Sequence, residues 1–277
     1  MKLIDGKKLA RTIRKKITAN IAGMFHVPGL AIILVGDDPA SHTYVGLKEE
    51  AAAEVGVHFE KFLYPADIEQ SAVVRRIEEL NTREDIHGIV VQLPLPAGLD
   101  TDAIIETITP EKDVDGFHPV NKKMIQEGNV RMAPALVKSI LELISSTGFS
   151  YDHAHAAILA NSGTFADPLS MFLSKREMDV SIILPPFTDY QTKTRDADLV
   201  IVAIGRSGFL KGDVVKEGAV LIDVGFNHTA EGVTGDIDAE SVGHVTGWLT
   251  PVPGGVGPMT VAMLLANTVE ACKLQIT

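Results

Sequence analysis

Near the start of the chain, apolar residues recur at every fourth position, Leu9, Ile13, Ile17 and Ile21, with lysines and arginines between them. That spacing lays one apolar stripe along a helix. An unbroken apolar run, Gly29–Val35, follows and stops at Gly36-Asp37-Asp38-Pro39, which reads as a buried strand closed by a turn. Ser41 is placed to cap a helix running through Val55, with Tyr44, Leu47, Ala51 and Val55 on its inner side. A second strand is predicted over about 57–63, a helix over about 71–80, and a third strand over 87–92, stopped by Leu93-Pro94-Leu95-Pro96. The second half repeats the alternation. Ala156–Ala160, Val180–Leu184, Leu199–Ala203 and Ala219–Asp223 read as strands. A helix from Pro134 to about Ser146 links the halves, and a closing helix spans about Pro258–Lys273. Strands alternating with helices imply parallel pairing and right-handed crossovers, so the pattern predicts an α/β fold in two lobes.

Composition narrows the class. A length of 277 residues exceeds one comfortable core and favours two modest domains. A net charge of −11 weighs against nucleic acid as a partner, because a phosphate backbone needs a basic surface. It leaves room for a small anionic ligand held by a few local cations. The single cysteine, Cys272, excludes an internal disulfide framework and a cysteine-rich zinc site. No apolar run reaches the ~20 residues of a membrane span, and the first residues lack the pattern of a signal peptide. The expectation is a cytoplasmic protein with no membrane partner.

Four segments carry candidate chemistry. In Tyr44-Val-Gly-Leu-Lys48, residues four apart share a helix face, so a ring and an ammonium project together. Desolvation beside an aromatic wall lowers a lysine's proton affinity and suits it to acid/base work; the alternative is one solvated lysine on an amphipathic helix. Gln92 ends a buried strand in Val91-Gln92-Leu93-Pro94, at the carboxyl edge where open α/β sheets place ligands. Its rival reading is a polar strand end before a stiff turn. Asp113-Val-Asp115-Gly-Phe-His118 hints at a metal, but no second histidine cluster supports one. Asp115 is better read as an acceptor for a fused-ring ligand, or as a plain Asp-Gly turn. Thr250-Pro-Val-Pro253-Gly254-Gly255-Val-Gly257-Pro258 combines glycines that admit close backbone approach with a proline suited to a first helical position. A rigid interdomain turn is the alternative.

Taken in order, YVxxK, VQLPLP, KDVDGFHPxN, DVGxN…GDxD and TPVPGGVGPMT resemble the bifunctional methylenetetrahydrofolate dehydrogenase/cyclohydrolase family over essentially the whole chain. The resemblance implies a folate-binding catalytic domain at 1–138 with a returning helix at 258–277, and a Rossmann-like NAD(P)-binding domain at 139–257, with a cleft between them. It implies oxidation of 5,10-methylenetetrahydrofolate to the methenyl form and hydrolysis to 10-formyltetrahydrofolate, within one-carbon metabolism and purine biosynthesis. Lys48 would be the central catalytic group, Gln92 its hydrogen-bonding partner, Asp115 the pterin anchor and Tyr44 the stacking ring. Val91, Leu93, Pro253, Gly254 and Gly255 would complete the folate contacts. Ala160, Asn161, Ser162 and Phe226 would meet the cofactor, NADP. Family members commonly pair as homodimers.

The nucleotide half departs from that family's pattern. A glycine-rich turn of the form GxSxxVGxP is Ala160-Asn-Ser162-Gly-Thr-Phe-Ala166-Asp167-Pro168 in this chain. Two methyl groups thus replace glycine hydrogens, and Asp167 stands where a basic residue often meets a 2′-phosphate. Leu184-Pro185-Pro186-Phe187-Thr188 replaces a His-Ser-x-Thr-like segment, Met132–Val137 replaces a Pro-Cys-Thr-Pro run, and Lys123 replaces a glycine. These changes spare the folate motifs. The cyclohydrolase step is therefore expected more firmly than the dehydrogenase step. NAD in place of NADP, a monofunctional cyclohydrolase, a non-catalytic folate-binding relative, and full family activity through backbone amides all stay open at this stage.

Overall fold

The computed structural model describes residues 1–127, 132–230 and 232–276. Along the chain run β1 (Lys2–Leu3), α1 (Gly6–Ala22), β2 (Gly29–Val35), α2 (Pro39–Val55), β3 (His58–Tyr64), α3 (Gln70–Thr82), β4 (Gly88–Val91), α4 (Thr101–Glu106) and α5 (Pro119–Gln126). They continue with α6 (Ala135–Ser145), β5 (His155–Ala160), α7 (Gly163–Ser174), β6 (Asp179–Ile183), α8 (Tyr190–Asp196), β7 (Leu199–Ala203) and β8 (Val220–Asp223). The last are β9 (Asn227–Thr229), β10 (Gly232–Thr234), α9 (Ala239–Val242), β11 (Trp248–Leu249) and α10 (Val256–Gln275). Two compact units result, one of Ala10–Ala135 with Val261–Thr277, the other of Met1–Leu9 with Leu136–Thr260.

The first unit is built on a parallel sheet of order β3-β2-β4. Every residue of the central strand β2 is buried, which is why its sequence is an unbroken apolar run. Ala31, Ile33 and Val35 of that strand pack with Val73, Ile77 and Leu80 of α3 and with Ile89 and Val91 of β4. Helix α2 differs from its sequence reading in two ways. Its cap is Asp38, whose carboxylate accepts the Ser41 amide at 2.8 Å, so Ser41 lies inside the first turn and Pro39 opens the helix. Its inner face is Ser41, Val45, Lys48, Ala51, Ala52 and Val55, while Leu47 is 47% exposed. Small and branched residues at 45, 52 and 55 set how the helix seats, and that seating turns Lys48 inward.

The second unit holds a six-stranded sheet of order β1-β11-β8-β7-β5-β6, parallel throughout, and a separate antiparallel β9–β10 hairpin. The sequence reading missed β1 and β11, since two residues are too short to show a period. Lys2 and Leu3 pair with Trp248 and Leu249, and the Lys7 amide donates to Gly254 at 3.1 Å. Residues 1–9 therefore belong with this unit, not with the preceding span to 138 where the sequence reading put them. A β-carbon at Gly6 would overlap the Gly255 carbonyl, so this seam depends on glycine. Helix α10 starts at Val256, which makes Pro258 its third residue rather than its first. Strand β5 lies between β6 and β7, and the chain leaves it first to one side and then to the other. Such a switch point opens a ligand crevice at the carboxyl ends of the strands.

Candidate active site

Lys48 sits on the buried side of α2 and is 9% exposed. Its Nζ donates to Gln92 Oε1 at 2.8 Å, and Gln92 Nε2 donates to the Leu93 carbonyl at 2.7 Å. The carbonyl needs a donor, so it fixes which end of the amide faces the lysine. Burial pulls the Lys48 pKa down from its ordinary value, and the nearby Asp115 charge pulls it partly back. A solvated surface lysine is thereby excluded. One turn earlier on α2, Tyr44 is half-buried, and burial pushes its phenol up. Val91 is buried at the end of β4, and Gln92 and Leu93 follow it at the strand's carboxyl edge.

Asp115 lies on the loop between α4 and α5. Burial pushes its carboxyl up to about 6, while Lys48 acts to lower it and Asp113 to raise it further. An amine with lowered proton affinity and a carboxyl with raised affinity thus face each other. Shifts of that kind suit a pair to acid/base work. Gly116 next to it has φ +82, and a β-carbon there would strike Pro134, so a constrained turn presents the carboxylate. His118 is spoken for as the cap of α5, its Nδ1 accepting the Val120 amide at 3.1 Å. Among the described residues it joins no metal-binding cluster.

At the β5–β7 switch point, Asn161 Nδ2 donates to the Ile204 carbonyl at 2.9 Å and ties the two strand ends together. Ser162 precedes α7 without capping it through its side chain, so the start of this 12-residue helix carries no side-chain cap. Ala160 and Ala166 are both fully buried. Asp167 is exposed, and its Oδ2 would lie 2.8 Å from a β-carbon on Gly163, so one carboxylate does hang over the first turn. Phe226, 40% exposed, packs edge-on against His228 at 5.3 Å.

Several residues of this unit escaped the sequence reading. Arg206, just past β7, lays its guanidinium 5.1 Å from the Phe187 ring centroid and 5.9 Å from that of Phe209. Its own amide donates to Asp236 Oδ1 at 2.7 Å, and the Ile204 and Gly205 amides donate to Oδ2 at 2.7 and 3.0 Å. The signal was the Gly205-Arg206 pair directly after a strand at the switch point. Pro253, Gly254 and Gly255 also belong to this unit. Gly254 is at φ +114 and Gly255 fits closely against Thr250 and Pro251.

The sequence matches the profile of the tetrahydrofolate dehydrogenase/cyclohydrolase catalytic domain over residues 4–115 and that of the corresponding NAD(P)-binding domain over 134–276. It is 42% identical to a bifunctional protein FolD of Geobacillus thermodenitrificans, covering 98% of this chain and 97% of that one. A bifunctional protein FolD of Bordetella avium is 41% identical over 100% of this chain and 99% of its own. Among solved structures, the FolD methylenetetrahydrofolate dehydrogenase/cyclohydrolase of Campylobacter jejuni superposes with a TM-score of 0.93 at 38% identity, covering 99% of both chains. That of Trypanosoma brucei, complexed with NADP cofactor and an inhibitor, gives 0.94 at 33% identity over 99% of this chain and 98% of that one.

Proposed function

The chain belongs to the tetrahydrofolate dehydrogenase/cyclohydrolase family, and from that premise we propose how its own residues perform the two steps. The enzyme oxidises 5,10-methylenetetrahydrofolate to the 5,10-methenyl cation and hydrolyses that cation to 10-formyltetrahydrofolate. NADP+ supplies the hydride acceptor. Water then adds to the bridging carbon, the carbon–N5 bond breaks, one water proton ends on N5 and the other leaves. Lys48, its proton affinity lowered by burial, takes the proton from the attacking water and returns it to N5. Gln92 holds the amine in place through a bond whose direction Leu93 sets. Asp115 in its ionised form accepts hydrogen bonds from the pterin, Tyr44 stacks on the aminobenzoyl ring, and Val91 and Leu93 flank the substrate. The roles of Pro253, Gly254 and Gly255 toward folate rest on family resemblance.

For the dinucleotide, the uncapped amides at the start of α7 and the guanidinium of Arg206 offer donors to phosphate, and Asn161 braces the strand ends between which they lie. Ala160 and Ser162 border the same turn, with Phe226 beyond β8 as a further contact. Asp167 is a charge that opposes an anion there. Among the described residues, no helix is long and apolar enough to cross a membrane. A cytoplasmic homodimer is part of the same reading, and light scattering on the purified protein tests the assembly.

The 2.8 Å contact between a buried lysine amine and an oriented glutamine carries the proposal. Purified protein is expected to reduce NADP+ with 5,10-methylenetetrahydrofolate and to hydrolyse the methenyl compound without cofactor. Failure of the second reaction refutes the reading of the lysine.

A further inference from the structure

We infer that Asp113 is a positioning residue for this reaction, fixing Asp115 and biasing its charge; the inference rests on the role proposed for Asp115. Asp113 is 2% exposed. Its Oδ1 accepts the amides of Gly116 at 3.0 Å and Phe117 at 3.3 Å, and its Oδ2 accepts the His118 amide at 2.8 Å and Asn121 Nδ2 at 2.9 Å. All four donors are neutral, and among the described residues no ion pair to Asp113 is recorded. One carboxylate thus pins the three residues that follow Asp115. On the preceding side, the Val114 carbonyl accepts Asn267 Nδ2 at 2.8 Å, and the same amide group reaches the Ala133 carbonyl at 3.1 Å. Asn121 is also tied to the Pro110 carbonyl at 2.9 Å. Asp115 is held between two buried anchors, and only one of them is an acid.

An acid in that place does two things that an amide would not. It takes four donors on two oxygens, where the amide of an asparagine would turn two donors toward donors. It also sets a like charge close to Asp115, in surroundings where charges act over longer range than in water. Among the described residues, the charged groups that act on Asp115 are Lys48 from α2 and Asp113 from its own loop; the cavity beside it is otherwise lined by Ile89, Val90 and Val91 of β4, Ile105 of α4, Ile108 just after it, and Phe117. Lys48 favours ionisation of Asp115 and Asp113 opposes it.

The test is the pH profile of methenyltetrahydrofolate hydrolysis, which needs no cofactor, for the unaltered protein and Asp113→Asn. The variant is expected to lose on the order of tenfold in kcat/KM through misplacement of the loop. Its acid limb is expected to move to lower pH by roughly half a unit or more, since one opposing charge is gone. A limb that stays in place overturns the inference, whatever the loss in rate. Should that variant not fold, Asn121→Ala keeps the carboxylate and removes one donor, and the limb must then move to higher pH; no movement overturns the inference equally. If the unaltered protein hydrolyses nothing, the functional reading itself fails. If it turns over and the limbs coincide, only the role of Asp113 is lost.

Discussion

The two units treat charge in opposite ways. In the three-stranded unit, Lys48 and Asp113 are buried, and a second layer of amides and carbonyls dictates where each polar atom points. In the six-stranded unit, the charges beside the nucleotide crevice, Asp167 and Arg206, are exposed, while its buried acids Asp223 and Asp236 serve backbone amides. Buried charge is costly to misplace and strongly shifted in proton affinity, whereas exposed charge is screened and adjustable. The first arrangement suits chemistry at a reacting carbon. The second suits recognition of a ligand whose phosphates bring their own charge.

Substitutions sharpen this contrast. Lys48→Met is expected to cost roughly 100- to 10,000-fold in methenyl hydrolysis while leaving binding of a folate analogue and the melting temperature close to those of the parent. Substantial residual turnover would break the contrast at its strongest point. Next, Asp115→Asn is expected to weaken folate binding by about 10- to 100-fold. In the parent, binding should fade as pH drops through about 6, because the carboxyl whose pKa burial raises is protonated below that value and no longer accepts from the pterin. The variant should bind with no such pH dependence, as calorimetry across that range would show. On the other side, Arg206→Met is expected to raise the Kd for NADP+ by about tenfold and leave methenyl hydrolysis untouched. Smallest of all, Asp167→Asn should tighten NADP+ by about two- to fivefold, the effect of one charge at a helix start, with the gain shrinking in high salt. Weaker binding by that variant would reverse the sign assigned to Asp167.

Much of the fold could be read from apolar runs. Gly29–Val35 and Leu199–Ala203 are strands end to end because central parallel strands are buried on both faces. What failed was short or local. Two-residue strands show no period, the β9–β10 hairpin interrupts an otherwise parallel pattern, and the buried face of α2 is displaced by one position from its most apolar reading. At the site, Lys48, Gln92 and Asp115 stand within recognisable strings. Asp113 and Asn121 stand in the same string as Asp115, but their part was not legible, since a carboxylate that collects backbone amides looks in sequence like any loop acid. Arg206 is a lone arginine until the ends of β6 and β7 bring rings to it.

Helix α10 closes the three-stranded unit from the far end of the chain. Its Asn267 grips the backbone at Val114 and Ala133, and Gln275 reaches the carbonyls of His87 and Glu111 at 2.9 and 3.1 Å. During synthesis, residues up to Ala135 emerge and then wait on the order of ten seconds for the segment that completes them. Throughout that interval the slot destined for α10 is open, so the ribosome delivers an unfinished domain that a chaperone has time to meet. A premature stop early in the last helix would leave the catalytic half, though translated through Ala135, without its final wall.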